Sequence, residues 1–196
     1  EALHRLQLHL WAPRILDSYQ DAPGYAGEMF FFTVVDPAAP CIEDRATDTT
    51  WTASSRLSFA RNVVRALDEL HHPETDDERI IHRNLTPRTI LVKHDNSPIL
   101  TGFERSRLPS EISVASSSLP MGEYLATVAP EVQAQGLAVA DQRSDLYSLC
   151  ASLSHLFQGR EDDLSRRAAE IFAHGLAKEP DQRSTLQDLD AALSEL

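Results

Sequence analysis

Leu57, Ala60, Val63, Val64, Leu67 and Leu70 recur at i, i+3 and i+4 spacing, and this stripe constrains the fold more than any other feature of the chain. Side chains three or four apart share one face of an α-helix, whereas a strand would scatter these six over both of its faces. The spacing predicts one amphipathic helix, Ala53–His71, with its apolar side on a core. Three later segments follow the same rule. The first, with Leu146, Leu149, Cys150, Leu153, Leu156 and Phe157, is apolar enough to be a central buried helix, capped by Ser144 and stopped by Gly159. The second, residues 162–177, carries Leu164, Ala168, Ile171, Phe172 and Leu176 on one face. The third opens on Ser184-Thr185-Leu186-Gln187, read as a capping box, and runs on through Leu189, Leu193 and Leu196.

Strand signals are fewer and lie in the first half. Residues 14–19 and 28–35 read as strands, the second holding the apolar run Phe30, Phe31, Phe32, Val34 and Val35 expected of a strand covered on both faces. Ahead of them, Leu3, Leu6 and Leu10 at helical spacing suggest the last turns of a helix, ended by Pro13. Residues 38–50 read as a loop with one short helical turn at 41–45. A hairpin-like stretch spans residues 89–101 around the polar turn His94-Asp95-Asn96-Ser97. The fold class is therefore α+β, mainly α.

Composition narrows the function classes. A chain of 196 residues is most simply one domain, able to bury about 70% of its unfolded surface without disulfide or metal staples. The formal charge of −12 disfavours a nucleic-acid partner. No run approaches the roughly 18 consecutive apolar residues of a membrane span, and Cys41 and Cys150 lack metal-ligand spacing. The expectation is a cytoplasmic protein that does not contact membranes. His71 and His72 resemble a metal pair at first sight, but adjacent helical side chains point about 100° apart, so both are read as a solvated helix end.

Chemistry-bearing residues concentrate in residues 80–92, Ile-Ile-His-Arg-Asn-Leu-Thr-Pro-Arg-Thr-Ile-Leu-Val, followed by Gly102-Phe103-Glu104, Ala129-Pro130-Glu131 and the late Arg183. These stretches resemble the catalytic loop, the D-F-G and the A-P-E motifs of the eukaryotic-like (Hanks-type) Ser/Thr protein kinase family. Where that family has the Asp that accepts the substrate proton and the Asn that holds magnesium, this chain has Asn84 and Thr89. Gly102 replaces the magnesium-binding Asp, and Thr86 is a further degenerate position of the loop. An amide cannot take a proton near neutral pH, so general-base help of about 10²–10⁴-fold is forfeited at Asn84. Glu104 is the nearby carboxylate. His82, Arg83, Phe103, Glu131, Asp145 and Arg183 match positions that hold the family's large lobe together, Glu131 pairing with Arg183 and Asp145 capping a buried helix and binding the loop backbone.

The resemblance implies a degenerate kinase-like fold, a pseudokinase, mainly the C-terminal lobe. Its expected division is a partial N-lobe at residues 1–35 (the end of the N-lobe helix and two strands), a hinge and linker at 36–52, and the C-lobe at 53–196. The hinge would fall at Val34, Val35 and Asp36. No G-x-G-x-x-G is present, and the lysines are Lys93 and Lys178, past that hinge, so neither ATP nor magnesium is expected to bind. Residues 104–129 would be the activation segment; its serines, Ser110, Ser113 and Ser116-Ser117-Ser118, are read as flexibility, with phosphorylation as the second reading. Only residues 159–161 separate two helices between which the family places a docking helix. The implied function is a catalytically inactive interaction or allosteric module that binds protein, within a larger polypeptide. An alanine- and arginine-rich, lysine-poor composition points to a bacterial source. The rival is a divergent Ser/Thr protein kinase with displaced catalytic groups.

Overall fold

The computed structural model describes residues 9–20, 29–34, 39–74, 78–108 and 122–196; of 15–20, 29–34 and 122–123 it describes the backbone alone. These residues form a mixed, mainly helical fold with six α-helices and four strands in two two-stranded sheets. In chain order they are β1 (Arg14–Gln20), β2 (Met29–Val34), α1 (Ile42–Ala46), α2 (Ala53–His71), β3 (Ile90–Val92), β4 (Pro98–Leu100), α3 (Pro130–Gln135), α4 (Gln142–Ser154), α5 (Asp163–His174) and α6 (Leu186–Ser194).

The predicted helix Ala53–His71 is α2, and it organises the core. Its Phe59, Ala60, Val63, Val64, Leu67 and Leu70 are buried, whereas Leu57 is only half-buried. Burying one such aliphatic or aromatic side chain contributes about 1.5–3 kcal/mol, so the stripe outweighs any single polar contact in the chain. Helix α2 lies against α4, α5, α6 and β4, where its stripe meets Leu149, Leu153, Phe172, Leu189 and Leu193. Thr52 caps its start by accepting from the Ser55 amide.

Strands β1 and β2 pair antiparallel with an irregularity between Ile15 and Asp17. The burial expected of the Phe30–Phe32 run concerns side chains outside the described residues. So do Leu3 and Leu6, whereas Leu10, read as helical, sits in a turn and is 88% exposed. The hairpin β3–β4 forms as expected, with Asn96 at φ 60° in its turn. Asn is among the few residues that adopt this left-handed conformation readily.

The helix ends correct four expectations. Asp141, not Ser144, is the N-cap of α4: Asp141 accepts from the Arg143 and Ser144 amides, while the Ser144 hydroxyl accepts from the Asp141 amide. Helix α4 stops at Ser154, five residues before Gly159, which instead takes φ 68° in the turn that follows. Helix α5 ends at His174 rather than residue 177, and the last helix is boxed by Thr185 with Asp188, not by Ser184 with Gln187. At the start of α4 a short carboxylate supplies the cap oxygen that the sequence reading gave to a serine.

A second, smaller apolar cluster stands apart from the main core. Val128, Ala129, Val132, Leu137 and Ala140 pack together with half-buried Tyr147. This places residues 122–140 as a satellite on the helical body.

Candidate functional site

Two groups of residues meet around the loop 81–89, and a third joins the satellite to the body. The first is an anchor beneath it. Asp145, in the first turn of α4 and 1% exposed, accepts from the backbone amides of His82 at 2.6 Å and Arg83 at 2.8 Å, and from His71 Nε2 at 3.0 Å. It does not cap α4, as expected of it; it lies one turn inside, and its carboxylate is used on the loop. Arg83 is held at φ 64°, a conformation that strains a non-glycine residue. His71 was read as a solvated helix end, yet it is buried, one turn after Leu67 on the inner face of α2.

The His82 ring packs against Phe103 in a tilted contact, centroids 4.6 Å apart, and accepts the Asn84 amide proton at Nδ1, 3.3 Å away. That bond requires the neutral tautomer protonated at Nε2. Burial pushes the His82 ring below its ordinary pKa, against the pull of Asp145 and Glu104, so neutrality at pH 7 agrees with the geometry.

The second group fills the space above the loop. The Asn84 side-chain amide donates to Glu104 Oε1 at 2.8 Å and to the Gly102 carbonyl at 3.3 Å. Thr89 Oγ1 accepts from the Thr86 amide at 2.9 Å and donates toward the Asn84 carbonyl at 2.8 Å. The Thr89 carbonyl in turn accepts from the Thr101 amide and hydroxyl. Asn84, Thr86, Thr89, Gly102 and Glu104 thus form one mutually satisfied network. Gly102 has φ 84°, and a Cβ placed there would come within 2.8 Å of both Asn84 Nδ2 and Thr89 Cγ2. A side chain at this position would have to displace its neighbours as well as adopt a left-handed backbone.

These residues do not fit a magnesium–nucleotide complex. Two of the three positions that the resemblance assigns to acidic or metal-holding groups carry neutral side chains; the third has none, and the volume that one would occupy is filled. Magnesium takes oxygen ligands, chiefly carboxylates, in near-octahedral geometry. Among the described residues, no three His, Cys, Asp or Glu side chains are grouped to hold a metal ion. Of the expected hinge, Val34 ends β2, while Val35 and Asp36 lie outside the described residues. Ser110, Ser113 and Ser116–Ser118 lie outside them too.

The third group joins the satellite to the body. Arg183, its side chain 1% exposed, makes a two-pronged ion pair with Glu131, Nη1 to Oε1 at 2.8 Å and Nη2 to Oε2 at 2.7 Å. Its remaining donors go to the carbonyls of Ala177, Arg143 and Lys178, and it lies over the Tyr147 ring at 5.0 Å. Burial pushes the Glu131 carboxyl up, but the hydrogen bonds and charge of Arg183 outweigh it and leave it below the ordinary carboxylate value.

A buried charged residue, Arg56, escaped the sequence reading, whereas Cys150 was expected to be buried and is. Arg56, 2% exposed, donates to the Trp51 carbonyl and to Ser165 Oγ. Burial and the nearby Arg160 charge hold its pKa below the usual value, against the opposing pull of Asp162. It precedes Ala60, Val63 and Leu67 at helical spacing, so its place on the apolar stripe was the available signal, as it was for His71. Cys150 is fully buried, which pushes its thiol up to about 12. It is an inert core residue.

No protein-family model matches the chain. Comparison with curated proteins finds similarity to kinase and kinase-like proteins. The chain is 31% identical over 128 residues to the "Probably inactive leucine-rich repeat receptor-like protein kinase" of Arabidopsis thaliana, covering 64% of this chain and 20% of that protein. It is 31% identical over 130 residues to the receptor-like serine/threonine-protein kinase ALE2 of Arabidopsis thaliana, covering 66% of this chain and 17% of that protein. It is 29% identical over 142 residues to the mixed lineage kinase domain-like protein of Mus musculus, covering 70% of this chain and 29% of that protein. The chain therefore spans less than a third of the length of these relatives. Among the described residues, no helix is long and apolar enough to cross a membrane.

Proposed function

We propose that these residues form a catalytically inactive protein-kinase-like domain, a C-lobe at 53–196 with part of an N-lobe at 1–35, serving as a protein-interaction or allosteric module of a larger, cytoplasmic bacterial protein. The observation that carries this reading is the closed network at Asn84, Thr89, Gly102 and Glu104, set against the intact Asp145 anchor and Glu131–Arg183 pair. Groups that would move a phosphoryl group are replaced by groups that satisfy one another; groups that hold the helical body remain. Similarity to a relative whose name includes "inactive" and to one named "kinase domain-like" supports the same reading.

A second reading has one observation in its favour. Glu104 is an exposed carboxylate 2.8 Å from the Asn84 amide, where a divergent Ser/Thr kinase with displaced groups would need one. A phosphoryl-transfer assay on the polypeptide that carries these residues separates the two. Incubation with magnesium and labelled ATP is expected to label neither the protein nor a generic acceptor, in the wild type and in Asn84→Asp alike, because Gly102 and Thr89 still offer no metal ligand. Transfer that Glu104→Gln abolishes would establish the second reading instead.

A further inference from the structure

We propose that Tyr124 is a latch that holds the turn 122–127 against the helical body and can open without unfolding it. The Tyr124 hydroxyl lies 3.0 Å from both carboxylate oxygens of Glu43 on α1 and accepts from Arg88 Nε, while Arg88 Nε also pairs with Glu43 at 2.7 Å. The Arg88 guanidinium sits over the Tyr124 ring at 5.8 Å. One phenol thereby joins three chain segments, 81 residues apart in one direction and 36 in the other.

Among the described residues, the rest of the turn is held by its packing on α4 and by Gln133 Nε2, which donates to the Leu125 carbonyl at 3.1 Å. Residues 128–140 pack into their own apolar cluster, not into the main core. Between them and the loop lies a small cavity lined by Leu85, Thr86, Thr127, Val128, Val132 and Asp145. The turn presents Leu125, 42% exposed, and beyond α3 the chain presents Val139, 39% exposed. Glu131 and Arg183 fix the start of α3, and Arg107 holds the carbonyls of Ala138 and Ala140, so an opening at Tyr124 is confined to the turn before α3. The latch is built of half-exposed charged groups around a neutral phenol, so a competing charge that captured Glu43 or Arg88 would release it. Such an opening re-aims the exposed Leu125. The latch stands whether or not a nucleotide binds.

Hydrogen exchange of the full chain, read peptide by peptide, tests this. Tyr124→Phe removes the hydroxyl and keeps the ring; Glu43→Ala removes the acceptor from the other side. Hydrogen bonds to a charged group are strong enough that each variant is expected to speed exchange at residues 124–128 by about tenfold or more, with α2 and α4 unchanged. Unchanged exchange at 124–128 in either variant would overturn the latch. A rise spread evenly over α2, α4 and α6 would overturn it too, since that pattern reads global destabilisation.

Discussion

Asp145→Ala is expected to destabilise the chain by about 3–5 kcal/mol, read as a lower urea midpoint with an unchanged slope. The carboxylate serves three buried or half-buried donors at once, the amides of His82 and Arg83 and the His71 ring. Each donor left without an acceptor costs about 1–3 kcal/mol, and the three losses overlap because the loop can relax only as a unit. The strained Arg83 backbone adds to the loss, since its φ of 64° persists only while the Asp145 bond over-determines it. Asp145→Asn keeps an acceptor oxygen but sets an amide against a donor, so it is expected to fall between the wild type and Asp145→Ala. A loss below about 1 kcal/mol in Asp145→Ala would mean that the loop is held by something other than this anchor.

Removing one partner of the Glu131–Arg183 pair should cost as much. Arg183→Ala strips three backbone carbonyls of their donor and leaves Glu131 without its counter-charge, while Glu131→Ala leaves a guanidinium that is 1% exposed with only backbone carbonyls. Breaking a buried pair from one side costs about 3–5 kcal/mol, and the double variant is expected to lose clearly less than the sum of the two singles. The pair also carries a pH signature. The Glu131 carboxyl titrates below its unfolded value, so its contribution is complete above about pH 4.3 and is lost as the pH falls through the depressed folded value. The stability gap between the wild type and Glu131→Gln should therefore be constant near neutrality and shrink in acid. Additive singles, or a gap that widens in acid, would show that the two residues do not act as a pair.

How much of this was legible in the sequence depended on whether the signal was periodic or relational. The α2 stripe fixed its helix to the residue because six apolar side chains agree with one period. The β3–β4 hairpin was equally plain, with a polar turn between two short apolar runs. Helix ends were less so: Ser144 was read as a cap because serine favours that place, but Asp141 has the same preference and lies where the chain turns into α4. His71 and Arg56 were misjudged or passed over because residue type was weighed above position, and a polar side chain on a buried face finds its partner far along the chain. His71 meets Asp145, 74 residues on, and Arg56 meets Ser165, 109 residues on. Asn84, Thr89 and Gly102 could be named from the sequence as replaced groups. That they close on one another could not, because the fit between a missing Cβ and two side chains is a matter of tenths of an ångström. Tyr124, Glu43 and Arg88 gave no sign at all, each being an ordinary polar residue until the fold brings the three together.

The claim on which the proposed function depends is that the space framed by Asn84, Thr89, Gly102 and Glu104 admits no metal-bound nucleotide. The most direct measurement is the melting temperature of the protein in saturating ATP with and without magnesium. A ligand at 100 times its dissociation constant adds about 2.7 kcal/mol, and in a chain of this size about 1 kcal/mol moves the midpoint by roughly 2–4 °C. The account predicts superimposable curves whether or not magnesium is present; a magnesium-dependent rise of about 5 °C or more, abolished by Glu104→Gln, would contradict it.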